Sequence, residues 1–300
     1  MNGKPQILVT GATGKTGSET VGLLLGRGFP VRALARVRDG RTERLEALGA
    51  EVVLGDFHDL ADMRRAVDGV ERAYFCYPPQ ETRLVEATAI FAIAARDAGV
   101  DTVVNMSQVT AREDAPSPLS RQHWQAERVL DWAGVGAVHI AATFFVENLF
   151  MFGARTIAEQ GELYLPYGDE RHAPVSAADL ARVIGVILDE PDGHRGERYV
   201  ITGPELLTVG EMAEALGDGL GTAVEYVDLP VETWREVLGG VAGMTPSLIT
   251  HLAHVADDHK DGVFRVRNDL VAEITGRAAE PLGASIGRIK AAFGFGEVAV

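Results

Sequence analysis

Residues 9–17 read VTGATGKTG, with Gly11, Gly14 and Gly17 at intervals of three. The run QILVT that ends at Thr10 suits a short buried strand, and from Lys15 onward the pattern is helical. A strand, a glycine turn and a helix in that order make a phosphate-binding corner. Gly11 permits the tight turn, Gly14 lets main-chain amides approach a diphosphate, and Gly17 allows the helix to pack closely on the strand. Thr13, Lys15 and Thr16 complete the turn. Glycine triplets also occur in tight turns that hold no ligand. The position of this one, after the first strand of a βαβ run, favours a dinucleotide.

The rhythm that follows supports that reading. Further strands are expected at 30–35 (PVRALA), 51–55 (EVVLG), 72–77 (RAYFCY), 102–107 (TVVNMS) and 137–142 (AVHIAA). Helices are expected between them, near 15–27, 41–48, 59–67, 82–98 and 120–133. Alternation of this kind predicts an α/β fold: a doubly wound parallel sheet of the Rossmann type with right-handed crossovers. After about residue 143 the spacing becomes irregular, with a loop and helix at TFFVENLFMFGARTIAEQ, a helix at SAADLARVIGVILDE, further helices near 208–216, 230–239, 246–256 and 283–293, and strands at RYVIT and AVEYVDL. The expected division is a Rossmann domain over residues 1–145 and a smaller α/β substrate lobe over 146–300, some segments of which can return to the first domain.

Composition narrows the function classes. The 300 residues are 46% hydrophobic, enough for a substantial core, and the formal charge of −15 argues against a nucleic-acid surface. Cys76 is the only cysteine, which excludes an intrachain disulfide and a cysteine-built structural zinc site. The start MNGKPQILVT has no signal-peptide pattern, and the apolar run at 134–146 is too short for a bilayer. A cytoplasmic protein with a small-molecule substrate is expected, its oligomeric state open. His251 and His254, followed by Asp257, Asp258 and His259, superficially resemble a metal cluster. Their spacing matches no motif of known mechanics, so no metal is expected and a solvated helix end is the plainer reading.

In a doubly wound fold the ligand sits at the carboxyl ends of the strands. The second strand ends ALARVRDG, placing Arg36 where an acid would hold an adenosine 2′-hydroxyl. A guanidinium there suits a 2′-phosphate, with Arg38, Arg41 and Lys15 nearby, so NADPH (NADP+) is the expected cofactor. Asp56 and Phe57 follow the third strand and are candidates to flank the adenine; Asp59 reads as a helix cap. Tyr77 and Pro78 follow the fourth, along the ribose side. Ser107 and Gln108 end the fifth, and Thr143 and Phe144 follow the sixth, all four being candidate cofactor contacts.

TGATGKTG, the arginine after the second strand, GDF after the third, YFCYPP after the fourth and the later RHAPVSAADLARV together resemble the NmrA-like family of atypical short-chain dehydrogenases. The resemblance runs to about residue 190 and is nearest to the quinone-reductase-like and triphenylmethane-reductase-like members. It implies an NADP-binding Rossmann fold and an oxidoreductase. It also allows a redox sensor, since the family contains members that bind dinucleotide without turnover. Members often carry an arginine and a proline where this chain has Ala141 and Ala142.

Ordinary short-chain dehydrogenases pair a tyrosine with a lysine four residues later, but no lysine here (Lys4, Lys15, Lys260, Lys290) stands at that spacing. His123 and Glu127, four apart on one helix face, are the candidate proton donor and its orienting carboxylate, with Ser107 and Gln108 to polarise a substrate oxygen. The alternative is a histidine that merely anchors its helix. Without the dyad the fitting acceptors are flat and electron-poor, such as quinones, enones or iminium ions, because hydride addition leaves them neutral or weakly basic. Phe144, Phe145, Phe150 and Phe152 offer an aromatic wall in the 144–152 loop. Phe145, Asn148, Phe152 and His172 are the candidate substrate contacts, although single phenylalanines here read equally well as core.

Overall fold

The structure is a computed structural model that describes residues 3–295. In chain order it begins β1 (Ile7–Val9), α1 (Lys15–Gly26), β2 (Val31–Ala35), α2 (Gly40–Leu48), β3 (Glu51–Leu54), α3 (Leu60–Val67), β4 (Arg72–Phe75), α4 (Leu84–Ala98), β5 (Thr102–Gln108), α5 (Pro118–Ala133) and β6 (Ala137–Ala142). It continues α6 (Val146–Gln160), β7 (Glu162–Leu165), β8 (Arg171–His172), α7 (Ala177–Asp189), β9 (Arg198–Ile201), β10 (Leu207–Thr208) and α8 (Val209–Leu220). Last come β11 (Glu225–Asp228), α9 (Val231–Gly239), α10 (Pro246–Lys260), α11 (Leu270–Thr275), α12 (Leu282–Ile289) and a 3-10 turn at Lys290–Phe293.

Seven strands form one sheet in the order β3-β2-β1-β4-β5-β6-β9. β1 pairs in parallel with both β2 and β4, so the strand order reverses beside it. Ile7, Leu8 and Val9 are fully buried, as a central strand covered on both faces requires. On one face α3, α4 and α5 lie side by side. There Met63, Phe91 and Leu130 pack with Leu8, Phe75 and Val103 of the sheet. The doubly wound α/β fold is thus present.

Local chemistry sets the helix starts. Asp39 caps α2 in a reciprocal box with Thr42, and Asp59 accepts from the Ala61 and Asp62 amides at the start of α3. The chain divides into two compact units. One holds the described residues up to Ala141 with Leu180–Val200, and the other holds Ala142–Asp179 with the described residues from Ile201 onward. In the second unit β11 pairs in parallel with β7, and β10 runs antiparallel to β8.

Three differences from the sequence reading have physical reasons. The stretch read as an aromatic loop at 144–152 is helical from Val146 onward. β7, β8, β10 and α11 give no legible signal, being two to six residues long. RYVIT becomes β9, at the edge of the seven-stranded sheet. No helix among the described residues is long and apolar enough to cross a membrane.

Phe91 is fully buried and stacks on Phe75 with centroids 4.6 Å apart. Phe91→Ala should destabilise the fold by about 3–5 kcal/mol. Urea unfolding followed by circular dichroism should show the midpoint falling.

Candidate functional site

The glycine turn after β1 is built around close approach. Gly11 has φ +57°, and a methyl group there would lie 2.9 Å from the Cys76 carbonyl oxygen at the end of β4. A methyl on Gly17 would stand 2.1 Å from the Gly11 carbonyl oxygen, so α1 meets the turn where only glycine fits. Thr10 ties the corner together: its Oγ1 accepts from the Cys76 amide at 2.8 Å and donates to the Cys76 carbonyl at 3.2 Å.

The N-terminus of α1 has no side-chain cap and no acid in its first turn. Gly14 and Lys15 are exposed there. Uncapped amides at the positive end of a helix dipole suit an anion, and the absence of Cβ atoms leaves room for it to reach the backbone. Thr16 faces inward instead, its hydroxyl 2.7 Å from that of the fully buried Tyr74. Burial raises the Tyr74 phenol well above its usual range, so it stays a neutral hydrogen-bonding post.

The neighbouring strand ends carry charge. Arg36 follows β2 with an exposed side chain, and its guanidinium lies 2.9 Å from Glu81, in the segment after β4. Arg38 pairs with Glu46 at 2.7 Å and Arg41 with Asp39 at 2.6 Å. Those two cations are therefore engaged by carboxylates of α2 and its cap. Asp56 accepts from the His58 amide, and that bond, the His58 ring and the charge of Arg36 together hold its carboxyl below the usual range. Phe57 sets its ring edge against Phe75 and Tyr77, with centroids 5.8 and 5.3 Å apart. The Tyr77 hydroxyl meets His58 Nε2 at 3.3 Å. Burial first, then the nearby Glu81 carboxylate, pushes the Tyr77 phenol up to about 12. Pro78 is half-buried beside it.

At the end of β5 the expectation changes. The Ser107 hydroxyl donates to Glu127 Oε1 at 2.5 Å, and Glu127 also accepts from Arg198 Nε at 3.2 Å. Glu127 is 1% exposed, and a buried carboxylate holds whatever donors satisfy it. The serine proton is thus directed at Glu127, which sequence spacing assigned only to His123. Gln108 accepts from Thr110 through its side chain and from Arg198 through its carbonyl. His123 is half-buried on α5.

The remaining candidates lie in the second unit. Thr143 Oγ1 sits 3.1 Å from the carbonyls of both Ala173 and Ile201, so its hydroxyl serves that unit's own backbone. Phe144 and Phe152 are each 4% exposed, whereas Phe145 and Asn148 are half-buried. Phe152 meets Trp234 edge to face at 5.6 Å, and Phe150 stacks on Phe293 at 5.0 Å. His172 is buried, and its Nδ1 lies 3.0 Å from Nδ1 of His259. His259 is itself clasped between the rings of Tyr167 and Phe264, each 3.7 Å away. The reading of 251–259 as a solvated helix end is therefore overturned, because His251, Asp258 and His259 are all buried. For His259 the aromatic rings of Tyr167 and Phe264 account for the burial. No group of three or more metal-ligating side chains converges among the described residues.

The family model described as NmrA-like matches residues 3–273. The chain belongs to the NmrA-like family. Its relative NAD(P)H azoreductase of Xenophilus azovorans is 33% identical over 293 residues, covering 96% of this chain and 99% of the relative. Among solved structures, the Escherichia coli NADPH-dependent quinone oxidoreductase complexed with NADPH superposes with a TM-score of 0.81 at 24% identity, covering 95% of this chain and 99% of that one. The Citrobacter sp. triphenylmethane reductase complexed with NADP(H) gives 0.80 at 24% identity, covering 94% and 99%. These two likenesses speak for the fold. Three residues of the site gave no signal in sequence: Tyr74 reads as one apolar strand residue among several, while Glu81 and Arg198 are charges on irregular or edge segments whose partners lie 45 and 71 residues away.

Burial lowers His172 and His251 to about 4, and His259 well below its usual value. Unfolded histidines near 6.5 then bind protons that the folded state refuses, so stability is intact above that value and falls as pH drops toward 4. By pH 5 the loss should be roughly 2 kcal/mol for each of His172 and His251. Urea midpoints measured from pH 7.5 to 5 should fall accordingly, and a midpoint constant over that range would contradict it.

Proposed function

We propose that this protein is an NADPH-dependent reductase that delivers hydride to a flat, electron-poor acceptor. The observation that carries the reading is the uncapped start of α1, reached through glycines where no Cβ fits, beside the exposed guanidinium of Arg36. The named relatives, an azoreductase, a quinone oxidoreductase and a triphenylmethane reductase, are all reductases acting on conjugated molecules and support it.

The roles divide as follows. Amides of the 11–17 turn hold the diphosphate, and Gly11, Thr13, Gly14 and Lys15 surround it. Thr16 and Gly17 support that turn from below. Arg36 takes the 2′-phosphate, while Asp56, Phe57, Tyr77 and Pro78 border the adenosine half. When bound, the cofactor supplies the hydride. Ser107, donating to Glu127, and Gln108, tied to Arg198, keep the end of β5 in place. His123 is the candidate proton donor. The half-buried Phe145 and Asn148 are the candidate acceptor contacts of the second unit. Because no tyrosine precedes a lysine at the dehydrogenase spacing, simple ketones lack the tyrosine acid that ordinary short-chain dehydrogenases offer their strongly basic alkoxide products.

NADPH oxidation measured with a quinone, an azo dye, a triphenylmethane dye, an enone and cyclohexanone tests the assignment. Turnover of conjugated acceptors without cyclohexanone is expected. Tight NADPH binding with no turnover of any of them would instead make the protein a redox sensor. Arg36→Ala should weaken NADPH binding roughly tenfold to a hundredfold, as loss of a charge-assisted contact does, while leaving NADH binding nearly unchanged. Equal losses for the two cofactors, read by fluorescence titration, would refute the role of Arg36.

A further inference from the structure

The Arg36–Glu81 ion pair joins segments that the sheet keeps apart. Arg36 directly follows β2, and Glu81 lies in the segment after β4, while β1 stands between those strands. Two strand spacings amount to roughly 10 Å. The 2.9 Å contact therefore reaches across the carboxyl end of β1, beside the glycine turn. Among the described residues Glu81 is the only ion-pair partner of Arg36, whose side chain is 74% exposed and free to exchange one anion for another. Arg38 and Arg41, by contrast, stay with α2 and its cap.

We infer that Glu81 is a cofactor-specificity residue: its carboxylate occupies Arg36 in the free protein and competes with the 2′-phosphate of NADPH for that guanidinium. This rests on the reading of Arg36 given above and adds a residue on another segment. Two features favour it. Carboxylate and phosphate both present oxygens to the same guanidinium fork, so they replace one another on it. Asp56 is also close enough for the charge of Arg36 to lower its carboxyl, so the incoming phosphate meets a cation already flanked by two acids. Without a 2′-phosphate, NADH has nothing to offer Arg36, and the pair with Glu81 persists. Lost competition from an exposed carboxylate is a modest effect, and salt screens it.

The test is the dissociation constant of NADPH and of NADH, measured by fluorescence titration at low and high salt on the natural chain, Glu81→Gln, Arg36→Ala and the double variant. Thermal unfolding confirms that each is folded. Glu81→Gln should tighten NADPH about two- to fivefold at low salt, less at high salt, and leave NADH unchanged. In the Arg36→Ala background the same substitution should do nothing to NADPH. An unchanged or weaker NADPH constant in Glu81→Gln overturns the proposal, as does equal tightening of both cofactors. If Arg36→Ala itself fails to discriminate the cofactors, the phosphate assignment falls instead. If it discriminates and Glu81→Gln has no effect, only the role of Glu81 falls.

Discussion

The contact on which the rest depends is the meeting of Gly17 with the carbonyl of Gly11. A methyl group at Gly17 would stand 2.1 Å from that oxygen, so any other residue pushes α1 away from β1. Held there, the helix presents its uncapped amides at the point where the strand order reverses. Thr10 bonding to both backbone groups of Cys76, and Thr16 resting on the buried Tyr74 hydroxyl, fix the corner from β4. The proposed anion site, made of main-chain groups, needs this stiffness, because amides that wander lose the alignment that makes them attractive to charge.

Around that corner the charges belong to different segments, and their balance differs from what residue types suggest. Three arginines follow β2 within six positions, which looks like a basic patch. Two of them are neutralised by acids of α2 and its cap, and the third by Glu81 from beyond β4. The patch is thus a set of ion pairs of which one bridges separate segments. Exposed pairs are individually weak, and that weakness lets such a pair yield to a ligand of higher charge.

The second unit rests on another principle, that buried polar rings need partners. His172 and His259 share a contact between their Nδ1 atoms, and stacking by Tyr167 and Phe264 encloses His259. Burial keeps both rings neutral near pH 7, which makes them core residues with a hydrogen bond to satisfy. The same unit absorbs Phe150 and Phe152 into aromatic packing, leaving Phe145 and Asn148 the more accessible of the candidate side chains in that stretch.

Much of the first unit was legible in the chain itself. Six β-rich runs alternating with amphipathic ones specify a parallel sheet, since short-range periodicity and glycine placement are local properties. GATGKTG marked the glycine corner after β1, and residues after β2, β3 and β4 meet there, Arg36 with Glu81 and Phe57 with Tyr77, because strand ends in this fold converge. Folding alone decided which groups pair. Ser107 turns to Glu127, Arg36 to Glu81, and His172 to His259 across 87 residues, because a polar group pairs with whichever partner the chain brings within 3 Å. Periodicity reports which face of an element is buried and says nothing of what it meets there, so the partners could be read only in three dimensions.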